Sequence, residues 1–152
     1  MTSLVAIDWG SSNRRAYLVR DGVVKDRHID AEGVLTCGGD FAASLATLLL
    51  RWPDLPADAP VLMSGMIGSR AGWVEAPYVS CPARLDALGA QLIDVPVDAR
   101  FQSLASRRIC IVPGVCQHAE PDVMRGEEIQ LLGSMFGDGF GLGGKSHDCL
   151  RG

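Results

Sequence analysis

The first thirty residues leave room for little except strand. Residues 4–7 (Leu-Val-Ala-Ile) form a short apolar run that stops at Asp8-Trp9-Gly10, and a second run at 15–19 follows after the polar stretch Ser11-Ser12-Asn13. Runs this short, packed this closely, suit strands of ~4–8 residues and not helices of ~10–12 or more. Arg20-Asp21-Gly22 then marks a turn, because Asp-Gly accepts the positive φ of a tight hairpin. Residues 23–29 continue with partly alternating character. An antiparallel meander is expected, with residues 8–13 as its first loop.

After the meander the pattern changes. Asp40 follows two glycines and is placed to cap a helix, since its carboxylate can accept from a free first-turn N–H. Phe41, Leu45, Leu48, Leu49 and Trp52 recur at helical spacing, and Pro53 stops the helix. Residues 53–60 read as a proline-rich loop, and residues 61–63 and 109–112 as buried strands. Short helices are expected around 84–91 and over 127–136, the second with acidic residues in its first turn, where the dipole favours them. The glycine-rich stretch after residue 133 carries no element pattern.

With 152 residues, 47% hydrophobic and 21% charged, the chain has enough length and apolar content for one core. A net charge of −4 and scattered basic residues argue against a nucleic-acid surface; the densest basic pairs are Arg14-Arg15 and Arg107-Arg108. No run reaches the ~18 apolar residues of a membrane span. Asp8 breaks the first apolar run too early for a secretory signal. The five cysteines are odd in number and irregularly spaced, so reduced thiols in a cytoplasmic protein are expected. Cys110, Cys116 and His118 lack zinc spacing, and nothing reads as a nucleophile–base pair.

Four segments could carry chemistry. In the first, Gly10 lets the backbone approach a ligand, and Ser11, Ser12 and Asn13 can face an anion. Asp8 at the mouth of such a cradle would repel phosphate, unless it holds Mg²⁺, usually through water, and the ion carries the phosphate oxygens. The same residues would also serve as a plain hydroxyl-rich hairpin turn. The second, Gly139 to Ser146, fits the G-x-x-x-x-G-K-S pattern, but a helix precedes it where the motif needs a strand, and only six residues follow. The third, Ser64-Gly65-Met66-Ile67-Gly68-Ser69 with Gly72 and Trp73, follows a buried strand, at the end where α/β proteins place ligands; alone it reads equally as a glycine-rich connection. In the fourth, Arg125 could grip a carboxylate and Glu127 and Glu128 could accept sugar hydroxyls, or the glutamates could simply cap a helix.

The combination resembles the 2-dehydro-3-deoxygalactonokinase family of the sugar kinase and actin-like ATPase group. The carriers are Ala6-Ile7-Asp8-Trp9-Gly10-Ser11-Ser12-Asn13 with Arg15-Ala16-Tyr17-Leu18, then Met63 to Ser69 with Gly72-Trp73, then Pro77-Tyr78, Val112-Pro113-Gly114, and Val123-Met124-Arg125-Gly126-Glu127-Glu128 with Gln130-Leu131. The resemblance implies an α/β fold, a ribonuclease H-like lobe with a mixed sheet and flanking helices over residues 1–133. It implies two lobes closing on ATP and a sugar acid, and transfer of the γ-phosphoryl group to the 6-hydroxyl of 2-dehydro-3-deoxy-D-galactonate with Mg²⁺. Asp8, Gly10, Ser11, Ser12 and Asn13 would form the first phosphate loop, with Asp8 at the metal. Gly65, Met66, Ser69, Trp73, Arg125 and Glu127 would lie near the sugar acid. The family continues after the Arg-Gly-Glu-Glu helix with a second phosphate segment, Pro-Gly-Thr-His-Ser-Lys-Trp, and a second lobe. Residues 134–152 do not follow that pattern, so a truncated lobe, inactive alone, is expected, with an apolar inter-lobe face prone to self-association. The alternative is a non-catalytic lobe, a binding module or a pseudogene product.

Overall fold

The computed structural model describes residues 2–80, 89–96, 99–117 and 122–124. The expected meander is present. β1 (Ser3–Trp9), β2 (Arg14–Arg20) and β3 (Val23–Asp30) pair antiparallel in sequence order. Its second turn has Asp21 at φ 50° and Gly22 at φ 77°, the two positive angles a tight hairpin needs. The first turn is tighter than expected. β1 runs through Asp8 and Trp9, which pair with Arg15 and Arg14, so only residues 10–13 form the loop. Burial explains the extension: Val5, Ile7 and Trp9 alternate onto one face and are all fully buried, so the core holds the strand two residues beyond its apolar run.

Asp40 caps α1 (Phe41–Leu49), accepting from the Ala43 N–H at 3.1 Å. The helix ends before Trp52, which stays buried and donates its indole N–H to Asp26 at 2.8 Å. Leu45, Leu48 and Leu49 pack on the core face of the sheet, each burial contributing about 1.5–3 kcal/mol. The chain then crosses to β4 (Val61–Gly65), which lies parallel to β1. A 3₁₀ turn (Met66–Gly68) follows directly. β5 (Tyr78–Ser80), β6 (Ile93–Asp94), the one-turn α2 (Gln102–Ala105) and β7 (Ile109–Ile111) complete the main sheet and begin a second. The main sheet has order β3-β2-β1-β4-β7-β6, with β4 and β7 parallel and β6 antiparallel at the edge. β8 (Gly114–Gln117) and β9 (Asp122–Met124) join β5 in a three-stranded sheet that the sequence reading did not anticipate. Residues 89 and 90 are helical, at the end of the expected 84–91 helix. The rest of that helix, the 127–136 helix and the 139–146 glycine motif lie outside the described residues. Among the described residues no helix is long and apolar enough to cross a membrane.

The basic pairs are used inside the fold. Arg107 is buried and donates to the carbonyls of Ser103, Ala59 and Pro56 at 2.6, 2.8 and 3.2 Å, which pins the proline-rich loop. Arg108 pairs with Asp94 at 2.8 Å. Cys110 is buried in β7, as expected, and donates to Asp94 at 3.3 Å. Burial first, then that bond, pushes its thiol up to about 11. Alkylation with iodoacetamide at pH 8 should therefore modify half-buried Cys37 well before Cys110, since the thiolate is the reactive form. Peptide mapping checks this; Cys110 labelling at the rate of a denatured control would contradict it.

Candidate functional site

The first and third segments, far apart in sequence, meet in the structure. In the parallel register of β1 and β4, Asp8 lies opposite Ser64 and Trp9 opposite Gly65, at the C-terminal ends of both strands. Open parallel sheets place ligands at this end. Gly65 has φ 94° and ψ −151°, a region essentially confined to glycine. A Cβ there would lie 2.8 Å from the Trp9 carbonyl oxygen and 3.0 Å from Asp8 Oδ1. The bare backbone of Gly65 is thus what leaves room beside the Asp8 carboxylate.

The loop at residues 10–13 is closed by a bond from the Gly10 N–H to the Asn13 carbonyl at 2.9 Å. A Cβ on Gly10 would lie 3.1 Å from that carbonyl. Ser11 is half-buried and Ser12 and Asn13 are exposed. Among the described residues their side chains form no hydrogen bond to protein. Ser64 Oγ, by contrast, is fully buried and has no hydrogen-bond partner among the described residues. Tyr17 lies on the neighbouring strand; burial, together with the Asp8 charge, raises its phenol above the usual range against the lowering effect of Arg15 and Arg27.

A buttress that the sequence reading missed supports this loop. The Val34 and Leu35 N–H groups donate to the Gly10 and Ser11 carbonyls at 2.8 and 2.9 Å. Gly33 lies so close beneath that a Cβ would sit 2.3 Å from the Ser11 carbonyl oxygen. The only trace in the sequence is the Glu32-Gly33-Val34 step after β3, which reads as an ordinary loop.

The remaining predicted residues divide. Met66 and Ser69 stay with Gly65 through the 3₁₀ turn. The Ser69 hydroxyl donates to the Met66 carbonyl at 2.6 Å, and Met66 is partly exposed. Gly72 packs against the Ile67 carbonyl, and the Trp73 N–H donates to that carbonyl at 2.9 Å. The Trp73 ring stacks on Phe41 at 6.3 Å, and Phe41 meets Trp9 edge-on at 5.8 Å, so an aromatic row ties the 66–76 segment to β1 through α1. Arg125 and Glu127 lie outside the described residues.

Of the two adjacent arginines, Arg14 is the buried one. It donates to Ser44 Oγ and to Asp30 Oδ2, both at 2.8 Å, and its guanidinium lies 4.8 Å from the Trp9 ring centroid. His28, which reads in sequence as a plain strand residue, also contacts Asp30 Oδ2 at 3.1 Å. Burial raises the Asp30 carboxyl, but the Arg14 and Glu32 N–H bonds and the nearby positive charges outweigh it and leave it below the usual range. A pocket of about 440 Å³ opens over Arg14, His28, Asp30, Glu32, Ser44 and Arg51. It contains none of the sequence-predicted site residues.

The donor set at the strand ends fits a magnesium-borne phosphate group. It offers one carboxylate, a cradle that a Cβ would fill, and three polar side chains that form no hydrogen bond among the described residues. Among the described residues there is no group of three His, Cys, Asp or Glu side chains able to hold a metal. An ion at Asp8 would keep most of its water, as Mg²⁺ does.

Comparisons with known proteins bear on the family. A family model described as 2-keto-3-deoxy-galactonokinase matches residues 8–148. A 2-dehydro-3-deoxygalactonokinase of Escherichia coli K12 is 39% identical over 133 residues, 86% of this chain and 41% of that protein. A Rhizobium meliloti protein described as the same kinase is 38% identical over 85% of this chain and 41% of its own length. A crystal structure of a Sinorhizobium meliloti protein assigned to that kinase superposes with a TM-score of 0.72 at 38% identity, over 87% of this chain and 42% of that one. The chain thus spans about two fifths of the length of the curated relatives it matches.

Proposed function

Because the chain belongs to the 2-keto-3-deoxy-galactonokinase family, we propose that it forms the N-terminal lobe of an ATP-dependent kinase acting on the 6-hydroxyl of 2-dehydro-3-deoxy-D-galactonate. The observation that carries the reading is the meeting of the two motifs, with the Gly65 backbone against the Asp8 carboxylate at the open ends of β1 and β4. Asp8 would hold magnesium, which would supply charge neutralisation for the phosphate oxygens. Ser11, Ser12 and Asn13 orient the phosphates. Gly65 keeps the space beside Asp8 clear. Gly65, Met66, Ser69, Trp73, Arg125 and Glu127 are the residues assigned to the sugar acid in this reading.

Phosphoryl transfer rests on positioning and charge stabilisation, and closure of a second lobe excludes water from the reacting groups. Residues 1–152 tested alone should accordingly bind Mg-ATP weakly and show ADP release near background with 2-dehydro-3-deoxygalactonate. Calorimetric titration with Mg-ATP and a coupled ADP-release assay measure the two quantities. Nucleotide binding should persist in Lys145→Ala, since the sequence ahead of Gly139 has the pattern of a helix where a phosphate loop calls for a strand. Loss of binding in that variant, or no Mg-ATP binding by the unaltered chain, would overturn the assignment to residues 8–13.

A further inference from the structure

We propose that Arg14 is the positioning residue of the phosphate loop, locking residues 10–13 to the 30–37 segment and to α1 through one buried guanidinium. For its functional consequence this rests on the reading of residues 8–13 as the nucleotide's loop. The family pattern that the chain resembles includes Arg15 and passes over Arg14.

Arg14 is the first residue after the loop, and its side chain is only 4% exposed. Three elements converge on it. Nη1 donates to the Ser44 hydroxyl of α1 at 2.8 Å and to the Ser44 carbonyl at 3.4 Å. Nη2 donates to Asp30 Oδ2, at the end of β3, at 2.8 Å. The guanidinium carbon lies over the ring of Trp9, the last residue of β1. Asp30 passes the constraint on, because its other oxygen, Oδ1, accepts the Glu32 N–H at 3.0 Å. Glu32 Oε2 in turn accepts the Ser44 hydroxyl at 3.3 Å. The next residues are Gly33, Val34 and Leu35, which touch or hydrogen-bond the loop backbone at Gly10 and Ser11. One cation therefore fixes the loop from both sides: directly through its own backbone, and indirectly through Asp30 and the buttress. A guanidinium suits this task because its fork reaches two partners in fixed directions.

A loop that must present several donors to one phosphate loses affinity when it is free to move, even if every donor remains. Arg14→Met keeps bulk and removes both donors; Asp30→Asn is the milder variant and guards against outright misfolding. Two readouts are taken together: amide hydrogen exchange and Mg-ATP affinity. In Arg14→Met, exchange at the Val34 and Leu35 amides should accelerate by about tenfold relative to the interior amides of α1, and in Asp30→Asn by about threefold. Mg-ATP affinity should fall about tenfold in Arg14→Met, with Arg14→Lys recovering part of both effects. Unchanged exchange at Val34 and Leu35 in both variants overturns the proposal. So does acceleration shared equally by α1, which would mean only global destabilisation. Selective acceleration with unchanged nucleotide affinity keeps the lock but removes its functional role, and overturns the proposal as stated. A failure of the nucleotide reading itself looks different: the unaltered chain then binds no Mg-ATP, while the exchange result still decides whether Arg14 holds the loop.

Discussion

Asp8→Ala should remove magnesium-dependent ATP binding while leaving the fold nearly as stable as before. Asp8 closes β1 on the face opposite the buried Val5-Ile7-Trp9 row, so truncating it opens no core cavity. It also relieves part of the charge that raises the Tyr17 phenol. Changes of this kind away from the core usually stay within about 0.5–1 kcal/mol. The loss in binding is of another order. Without the carboxylate the ion loses the anionic ligand proposed for it, and ATP meets the loop without its neutralising cation. Affinity should drop by about a hundredfold, equivalent to ~2.7 kcal/mol. Titration with and without magnesium separates the terms: the unaltered chain should need the ion, and the variant should bind equally poorly in both conditions. A variant that keeps its magnesium dependence and affinity would exclude Asp8 from the metal site.

Gly65→Ala should damage both stability and binding. Any side chain at φ 94° and ψ −151° is strained whatever the space, at about 1–3 kcal/mol. Here there is also no space. The nearest neighbour of the added methyl is the Trp9 carbonyl, held in the middle of the sheet by β1–β4 pairing, and the next is Asp8 Oδ1. A flexible side-chain end could swing away, but a backbone carbonyl cannot. Relief must come from separating β1 and β4 or from turning the Asp8 carboxylate aside. The melting temperature should fall by roughly 10 °C, taking ~2–3 kcal/mol spread over a lobe of this size. Mg-ATP binding should fall as far as in Asp8→Ala. The pair of variants is diagnostic: Asp8→Ala loses ligand and keeps stability, whereas Gly65→Ala loses both. A Gly65→Ala protein with an unchanged melting temperature would mean that the two strand ends are not packed as described.

The sequence made some of this plain for identifiable reasons. The meander was legible because Asp21-Gly22 dictates a turn and because its strands are too short and too closely spaced for helix. Asp40 announced α1 by its chemistry, but the helix ends at Leu49, short of the stop expected at Pro53. The extension of β1 through Asp8 was hidden, because a carboxylate reads as an end when only the local run is considered; burial of Trp9 decides otherwise. The contact of Asp8 with Gly65 was invisible, since a parallel pair leaves no local mark and each motif alone reads as a loop. Which of Arg14 and Arg15 is buried depends on strand alternation counted from an end that was itself uncertain. The short strands β5, β6, β8 and β9 hold two to four residues each, too few for any period to appear.

The parallel seating of β1 beside β4 also bears on how the chain is made. β2 and β3 follow β1 directly, so the meander can close within microseconds of leaving the ribosome. One edge of β1 is then still bare, and its Val5, Ile7 and Trp9 row has no helix over it, because α1 and β4 have yet to be synthesised. At ~5–20 residues per second that interval lasts for some seconds. During it the nascent hairpin offers an unpaired backbone ladder beside an apolar face, the combination most apt to pair with a neighbouring nascent chain. The strand that completes the candidate site is thus also the one whose arrival covers that bare edge.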